Sequence, residues 1–265
     1  MTQGQAEADR PVGVFDSGVG GLSVFKALRA QLPAEAFVYL ADAGFSPYGE
    51  RGDAFVIERT RAIVRQLRDE HAIKALVIAC NTATAAAIHL VRTEHPDLPL
   101  IGIEPALKPA VALSKTRRIG VMATRGTVAS AKLRALHDSL KGQAEFILQP
   151  CDGLADAIQN HDVAQIDSLC EQYTQAIGLF GGQPGQVDTL VLGCTHYGFA
   201  WDTLQALVGS DVHLIETGEP VARQTRRLLE AAGQLRQGDA PGRITLLTTG
   251  QQEALKVAAQ RWLGL

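Results

Sequence analysis

Two stretches of the chain share one pattern, in which a short apolar run leads into a cysteine and then into small polar residues. They lie at residues 76–82 and 190–195. Continuous apolar runs of this length are typical of strands buried on both faces of a parallel sheet. The pattern therefore predicts Cys80 and Cys194 at the carboxyl ends of two strands, which is where open α/β sheets bind ligands.

The rest of the chain alternates strand-like apolar runs with helical periodicity. Strands are predicted at residues 12–15, 37–40, 76–79, 97–103, 117–124, 144–148, 187–192, 212–215 and 243–247. Helices are predicted from residue 22 onward and at residues 53–68, 82–90, 163–179, 219–232 and 251–263. Strands that alternate with helices in this way indicate an α/β fold with mostly parallel sheets.

The second half of the chain repeats the pattern of the first. Residues 117–124 resemble residues 10–17, and a first-strand glycine precedes the cysteine by 67 residues in one half and by 74 in the other. Internal similarity of this kind indicates a duplicated unit. It predicts two similar α/β domains, residues 1–106 and 107–216, with residues 217–265 returning to the first.

Composition and charge exclude several classes of protein. The chain has 265 residues, of which 46% are hydrophobic and 20% charged, and its net charge of −3 provides no basic surface for nucleic acid. No apolar run approaches the ~20 residues of a membrane span. The first ten residues lack the apolar core of a signal peptide, so we expect a cytoplasmic protein with neither a nucleic-acid nor a membrane partner.

The four cysteines do not have the spacing of a metal site. No C-x-x-C pair is present, and Cys151 and Cys170 are expected to be buried core residues. A metal held by Cys80, Cys194 and His196 is the rival to a catalytic role for the two strand-end thiols. Cys-x-His is not a zinc spacing and no second close pair supports it, so no metal is predicted.

The glycine-rich turn after the first strand resembles a dinucleotide-binding loop only loosely. It reads Gly18-x-Gly20-x-x-Ser23, and the nearest later acidic residue, Asp42, is predicted to lie in a loop. The turn does offer backbone N–H groups for a carboxylate. Asp16 either caps the following helix or contributes to a site at the sheet edge, and the position of ligands in open sheets favours the site.

Two strand-end cysteines on opposite sides of one carbon could remove a proton from one face and return it to the other. A helix N-terminus or a cationic neighbour lowers a thiol pKa from ~8.5, so we expect Cys80 and Cys194 to be activated, with Asp16 near the first and His196 near the second. Nearby groups that could hold substrate carboxylates are Ser17, Asn81, Thr82 and Thr195. Thr124 could either cap a helix or bind a ligand.

Four segments resemble, in family order, the signature segments of the glutamate racemases, which belong to the cofactor-independent aspartate/glutamate racemases. They read VFDSGVGG at residues 14–21, PYG at 47–49, CNTA at 80–83 and GCTHY at 193–197. The similarity extends from about residue 11 to residue 232. Residues 123–127 also resemble the opening of the second half in that family.

The resemblance implies two pseudo-twofold-related α/β domains with the active site between them, and interconversion of L- and D-glutamate for peptidoglycan without pyridoxal phosphate or another cofactor. It implies that Cys80 deprotonates D-glutamate and Cys194 L-glutamate, with Asp16 and His196 tuning the thiols. The residues that it implies for contact with this small-molecule substrate are Asp16, Ser17, Tyr48, Gly49, Asn81, Thr82, Thr124, Thr195 and His196. Homodimers are common in the family, but no feature of the sequence marks an interface.

The chain departs from the family pattern at two positions. Gly198 stands where a proline usually follows the tyrosine, and Gln159 stands where a glutamate usually lies eight residues after a cysteine. An uncharged Gln159 could shift the pH profile or bias one direction if that position assists His196. Two alternative functions stay open: an aspartate racemase of the same family, and a non-catalytic amino-acid-binding regulator. Replacing Cys80 with alanine distinguishes an enzyme from a regulator, because a racemase would lose turnover whereas a binding protein would keep its ligand-dependent role.

Overall fold

Two parallel sheets organise the computed structural model, which describes residues 7–238 and 240–265. The strands are β1 (Val12–Asp16), β2 (Phe37–Ala41), β3 (Ala75–Ile78), β4 (Leu100–Gly102), β5 (Arg118–Ala123), β6 (Glu145–Pro150), β7 (Thr189–Leu192), β8 (His213–Ile215) and β9 (Ile244–Thr248). The sheet orders are β4-β3-β1-β2-β9 and β6-β5-β7-β8, with every pairing parallel. The predicted α/β fold class is confirmed.

Helices cover the faces of both sheets. They are α1 (Leu22–Gln31), α2 (Asp53–His71), α3 (Asn81–Glu94), α4 (Leu107–Leu113), α5 (Arg125–Ala129), α6 (Ala131–Asp138), α7 (Leu154–Gln159), α8 (Val163–Ile177), α9 (Trp201–Val208), α10 (Gly218–Ala231) and α11 (Gln252–Leu263). Val14 and Phe15 show why β1 is apolar throughout, because neighbouring side chains of a strand point to opposite faces. Val14 packs into the core beneath α1, and Phe15 packs into the core beneath α2 and α3.

The cysteine-bearing strand lies beside the first strand in both sheets. β3 pairs with β1 in a register that sets Gly13 opposite Leu76, and β7 pairs with β5 so that Gly120 lies opposite Leu190. A Cβ added at either glycine would lie 3.0 Å from a neighbouring aliphatic side chain. The repeated sequence pattern thus corresponds to a repeated arrangement of strands and close-packed glycines.

The C-terminal segment packs on the first sheet. β9 adds to the edge of β2, with Phe37 opposite Ile244, and α10 packs against α1. Trp262 of α11 also stacks on Phe199, which follows the second cysteine, at 4.2 Å between ring centroids. The domain boundaries at residues 106/107 and 216/217 stay a prediction.

Several elements differ from the sequence-based expectation. Helices α4, α6, α7 and α9 were not anticipated, because each has eight residues or fewer and presents too few apolar positions to show a period. The helix expected to reach residue 179 ends at Ile177, where Gly178 has a φ of 121°. Cys194 leads into a 3-10 turn, Thr195–Ala200, rather than directly into an α-helix.

In the part of the chain that the structure describes, none of the helices is both long and apolar enough to cross a membrane.

Candidate active site

The first sheet brings Asp16 and Cys80 to the same edge. Asp16 is the last residue of β1 and is fully buried, and its Oδ2 accepts the Gly21 N–H at 2.6 Å. Its Oδ1 has no hydrogen-bond partner among the described residues. Cys80 follows β3 and caps α3, because its Sγ accepts the Ala83 N–H at 3.4 Å and its thiol lies 3.6 Å from Ser17 Oγ. A buried carboxyl and a buried thiol therefore share this edge.

Burial dominates the electrostatics of both groups. It raises the pKa of Asp16 to about 7, against the lowering effect of hydrogen bonds from Gly21 and Ser17. It raises the pKa of Cys80 to about 12, and the negative charge of Asp16 adds to the rise. The expectation that a helix N-terminus lowers this thiol pKa is wrong, since desolvation outweighs the hydrogen bonds from Ala83 and Ser17.

The second sheet brings Cys194 to its own carboxyl edge together with His196. Cys194 Sγ lies 3.9 Å from His196 Nδ1, and His196 Nε2 lies 3.0 Å from Gln159 Oε1. Burial raises the pKa of the Cys194 thiol well above its ordinary value and lowers the pKa of His196 to about 4. His196 is therefore a neutral ring at pH 7, able to accept a proton.

The two sheet edges face each other and share one enclosure. Thr82 Oγ1 lies 3.0 Å from Thr124 Oγ1, and Gly126 N–H donates to the Gly49 carbonyl at 3.0 Å. A Cβ added at Gly49 would lie 2.6 Å from Thr124 Cβ, so this approach requires glycine. The pKa of Cys194 is raised in part by Cys80 across the gap. The predicted residues of both halves are thus brought together.

The remaining predicted residues differ in whether their polar atoms already have hydrogen-bond partners. Asn81 has both side-chain amide atoms buried without a partner among the described residues, which suits a residue that awaits a polar ligand. Ser17, Thr82, Thr124 and Thr195 are buried at the enclosure. Thr124 also caps α5, since its Oγ1 accepts the Thr127 N–H, so it serves the structural role in any case. Tyr48 directs its hydroxyl away, to Asp42 Oδ2 at 2.5 Å.

Sequence reasoning missed the importance of Asp42. Asp42 lies in a loop, as the sequence predicts, but it directly follows β2 and is fully buried. Its carboxylate accepts hydrogen bonds from Tyr48, from both Arg59 Nε and Nη2, and from Thr249 Oγ1. It therefore fixes the loop that carries Tyr48 and Gly49 against the site. Its position at a strand end was the available indication.

Gly198, one of the two departures from the family pattern, has a direct steric explanation. A Cβ added at Gly198 would lie 2.0 Å from Glu216 Oε1. Burial raises the pKa of Glu216, and Lys26 opposes that rise. The Glu216 side chain thus fills the space that any side chain at residue 198 would need.

The described residues contain no group of three or more histidine, cysteine, aspartate or glutamate side chains arranged to hold a metal ion. Each edge provides one thiol, and each thiol has a different proton acceptor beside it: Asp16 for Cys80 and His196 for Cys194.

The fold of two parallel α/β sheets, together with the relatives that it resembles, defines the class of the protein as a racemase, which is a kind of isomerase. The chain belongs to the Asp/Glu/hydantoin racemase family, whose family model matches residues 12–225. It is 45% identical to a glutamate racemase of Pseudomonas syringae pv. tomato over 240 residues, which is 90% of this chain and 84% of that relative.

Solved structures show the same likeness over nearly the whole chain. The glutamate racemase isoform RacE1 from Bacillus anthracis is 32% identical, with a TM-score of 0.84 and coverage of 97% of this chain and 94% of that one. The Escherichia coli glutamate racemase, solved in complex with L-glutamate and the activator UDP-MurNAc-Ala, is 30% identical with a TM-score of 0.79. Its alignment covers 96% of this chain and 95% of that one.

Proposed function

We propose that this protein is a glutamate racemase that interconverts L- and D-glutamate by two-base proton transfer, without a cofactor, using Cys80 and Cys194. The observation that carries the proposal is one free, buried thiol at each of two facing sheet edges. The similar proteins named above are glutamate racemases, and one of them was solved with L-glutamate. The family alone allows other substrates, so glutamate rests on these relatives.

The proton transfer requires one thiolate and one thiol at a time. In one direction, Cys80 as thiolate removes the α-proton of D-glutamate, and the Cys194 thiol donates its proton to the opposite face. The reverse direction starts with the Cys194 thiolate and the Cys80 thiol, so that each turnover exchanges the protonation states of the two cysteines. Because burial raises both thiol pKa values, each cysteine is protonated at neutral pH, and its conversion to a base requires help.

Asp16 and His196 supply that help on opposite sides. Asp16, with a pKa of about 7, can accept the Cys80 proton, and the neutral His196 can accept the Cys194 proton at Nδ1. The ammonium group of a bound amino acid brings a positive charge into the enclosure, which favours the thiolate and the Asp16 carboxylate.

The substrate is held by neutral groups of both halves. We assign the α-substituents to Asn81, whose amide atoms are unpartnered, and to the hydroxyls of Ser17, Thr82, Thr124 and Thr195. Hydrogen bonds to the substrate carboxylate also stabilise the negative charge that develops when the α-proton leaves. The Gly49 carbonyl joins the two halves at the site by accepting the Gly126 N–H, and Tyr48 anchors the same loop through its hydrogen bond to Asp42.

Proton NMR in heavy water tests the proposal. The expected result is loss of the α-proton signal from L-glutamate and from D-glutamate with no pyridoxal phosphate added. Circular dichroism of the same samples should show formation of the other enantiomer, which proton NMR does not distinguish. Cys80→Ala and Cys194→Ala each lower the rate of inversion by about 10²–10⁴-fold, the worth of a positioned acid–base group. Cys170→Ala, which removes a buried thiol of α8, is the matched control and retains activity.

Two other outcomes of that experiment would overturn parts of the proposal. Exchange of L- and D-aspartate in place of glutamate would keep the mechanism and change the substrate. No exchange with any of the four amino acids would favour an amino-acid-binding protein. The cytoplasmic location, the supply of D-glutamate to peptidoglycan and a homodimeric state are part of the same proposal and stay predictions.

A further inference from the structure

One oxygen of Gln159 joins the two halves of the molecule at the site. Gln159 Oε1 accepts the Val19 N–H at 2.9 Å and lies 3.0 Å from His196 Nε2. We propose that Gln159 is a positioning residue that holds the neutral His196 ring with its proton on Nε2, leaving Nδ1 bare toward Cys194. The catalytic meaning of this inference rests on the proposed function, because it concerns how the second thiol is made a base.

The hydrogen-bonding roles follow from the backbone. A peptide N–H only donates, so the Gln159 atom beside Val19 must be the amide oxygen and not the amide nitrogen. An amide oxygen only accepts, so the ring nitrogen 3.0 Å from it must carry a hydrogen. A neutral imidazole has one N–H, and therefore Nδ1 of His196 is an acceptor. The Cys194 thiol, 3.9 Å away, is then the donor of this pair.

The glycine turn of the first half is shaped for this contact. A Cβ added at Gly20 would lie 2.3 Å from His196 Nδ1, and one at Gly18 would lie 2.2 Å from Gln159 Oε1. Neither glycine has a positive φ, so the backbone of the turn does not require glycine there. The space does. The turn that resembles a phosphate-binding loop in sequence instead receives the glutamine and the histidine of the second half.

A neutral partner has a specific electrostatic consequence. Glutamate at this position could accept the same two hydrogen bonds but would add a negative charge beside the ring and raise the pKa of His196. The titratable groups at this point of the two facing edges are Cys194, Tyr197, Cys151, Cys80 and Asp16. The charged residues on the helices packed against the 3-10 turn are Lys26 and Arg29 of α1, Asp156 of α7 and Asp202 of α9.

Nitrogen NMR of protein labelled with ¹⁵N-histidine reads the tautomer directly. The His196 signals are assigned by their loss in His196→Asn. We expect the Nε2-protonated form alone in the wild type at neutral pH. Gln159→Leu, which fills the space but cannot accept, should show a mixture of both tautomers. Gln159→Glu should keep the single tautomer and raise the pH at which the ring takes a second proton.

Gln149→Leu is the matched control, because Gln149 is another half-buried glutamine of the second sheet, and among the described residues its side chain hydrogen-bonds only to the neighbouring Pro150 carbonyl. It should leave the His196 spectrum unchanged. A wild-type ring protonated on Nδ1, or a Gln159→Leu spectrum identical to that of the wild type, would overturn the inference.

Kinetics then measures the consequence for catalysis. Gln159→Leu should lower kcat by about tenfold, the worth of one neutral hydrogen bond, whereas Gln159→Glu should keep kcat and move the acidic limb of its pH profile upward. A pH profile that moves in neither variant contradicts a positioning role. Because the spectrum requires no turnover, absence of racemisation in the wild type would overturn the proposed function while leaving the tautomer result interpretable.

Discussion

Replacement of Asp16 with asparagine should stabilise the folded protein at alkaline pH while abolishing activity. Asp16 is fully buried, and burial raises its pKa from 3.8 to about 7. At 1.36 kcal/mol for each pH unit, this rise corresponds to about 4 kcal/mol between the charged and neutral forms. Above pH 7 the folded protein is therefore destabilised by the buried Asp16 carboxylate. We attribute the presence of this carboxylate to the need for a proton acceptor beside Cys80.

The sign follows from proton binding in the two states. Below about pH 4 the carboxyl is protonated in both the folded and the unfolded chain, so it contributes nothing to the pH dependence. Between about pH 4 and pH 7 the unfolded chain releases a proton that the folded protein keeps, and the free energy of unfolding falls. Above pH 7 the loss is complete. Asparagine does not titrate, so the advantage of the variant should rise by about 2–4 kcal/mol across this interval.

Urea denaturation followed by circular dichroism at pH 4.5 to 8.5 measures the difference. The unpartnered amide that asparagine introduces adds a cost of about 1–3 kcal/mol that is independent of pH, so the slope rather than the absolute value is the test. Asp188→Asn is the matched control, because hydrogen bonds from Ser114, Lys115 and Thr116 outweigh burial and lower the Asp188 pKa from 3.8. Asp188 is therefore ionised in both the folded and the unfolded chain above about pH 4, and its difference from the wild type should stay nearly constant across the interval. A constant difference for Asp16→Asn across the interval would refute the reasoning.

Three further predictions concern close packing and buried charge. Gly49→Ala places a Cβ 2.6 Å from a threonine Cβ of the other half, so steady-state kinetics should show KM raised about tenfold or more with little change in Tm. Gly198→Ala meets the far end of the flexible Glu216 side chain, so it should cost no more than about 1 kcal/mol of unfolding free energy, and Glu216→Ala in the same chain should recover most of that cost. Lys74→Met leaves the Glu35 carboxylate buried and unpaired and should cost about 3–5 kcal/mol, whereas adding Glu35→Leu should restore much of the loss in urea denaturation.

The elements that could be predicted from the sequence are those whose cause is local. Strands β1, β3 and β7 are short apolar runs covered on both faces, and the residues at their ends reach the site by topology alone. Asp16, Cys80 and Cys194 are therefore recoverable without a structure. The glycines of the repeat were recoverable too, because their spacing marks the first strand of each half.

The elements that could not be predicted depend on partners that are far away in sequence. Asp42 gains its role from Thr249, 207 residues later, and Gln159 gains its role from Val19, 140 residues earlier. The thiol pKa values went in the opposite direction from expectation because the amount of water removed from a group depends on the whole packed enclosure. Neither a hydrogen bond across the halves nor a desolvation cost leaves a periodic pattern in the chain.

The unequal surroundings of the two thiols constrain how any directional bias can be observed. The two enantiomers of an amino acid have equal free energies in water, so the equilibrium constant of the proposed reaction is one. The ratio of kcat/KM for the two directions equals that constant at every pH, and a substitution in the protein cannot change it. The difference between Asp16 beside Cys80 and His196 beside Cys194 must therefore appear in kcat and KM separately, with compensating changes. A change at Gln159 that slows one direction alone in kcat must lower KM for that enantiomer relative to the other by the same factor.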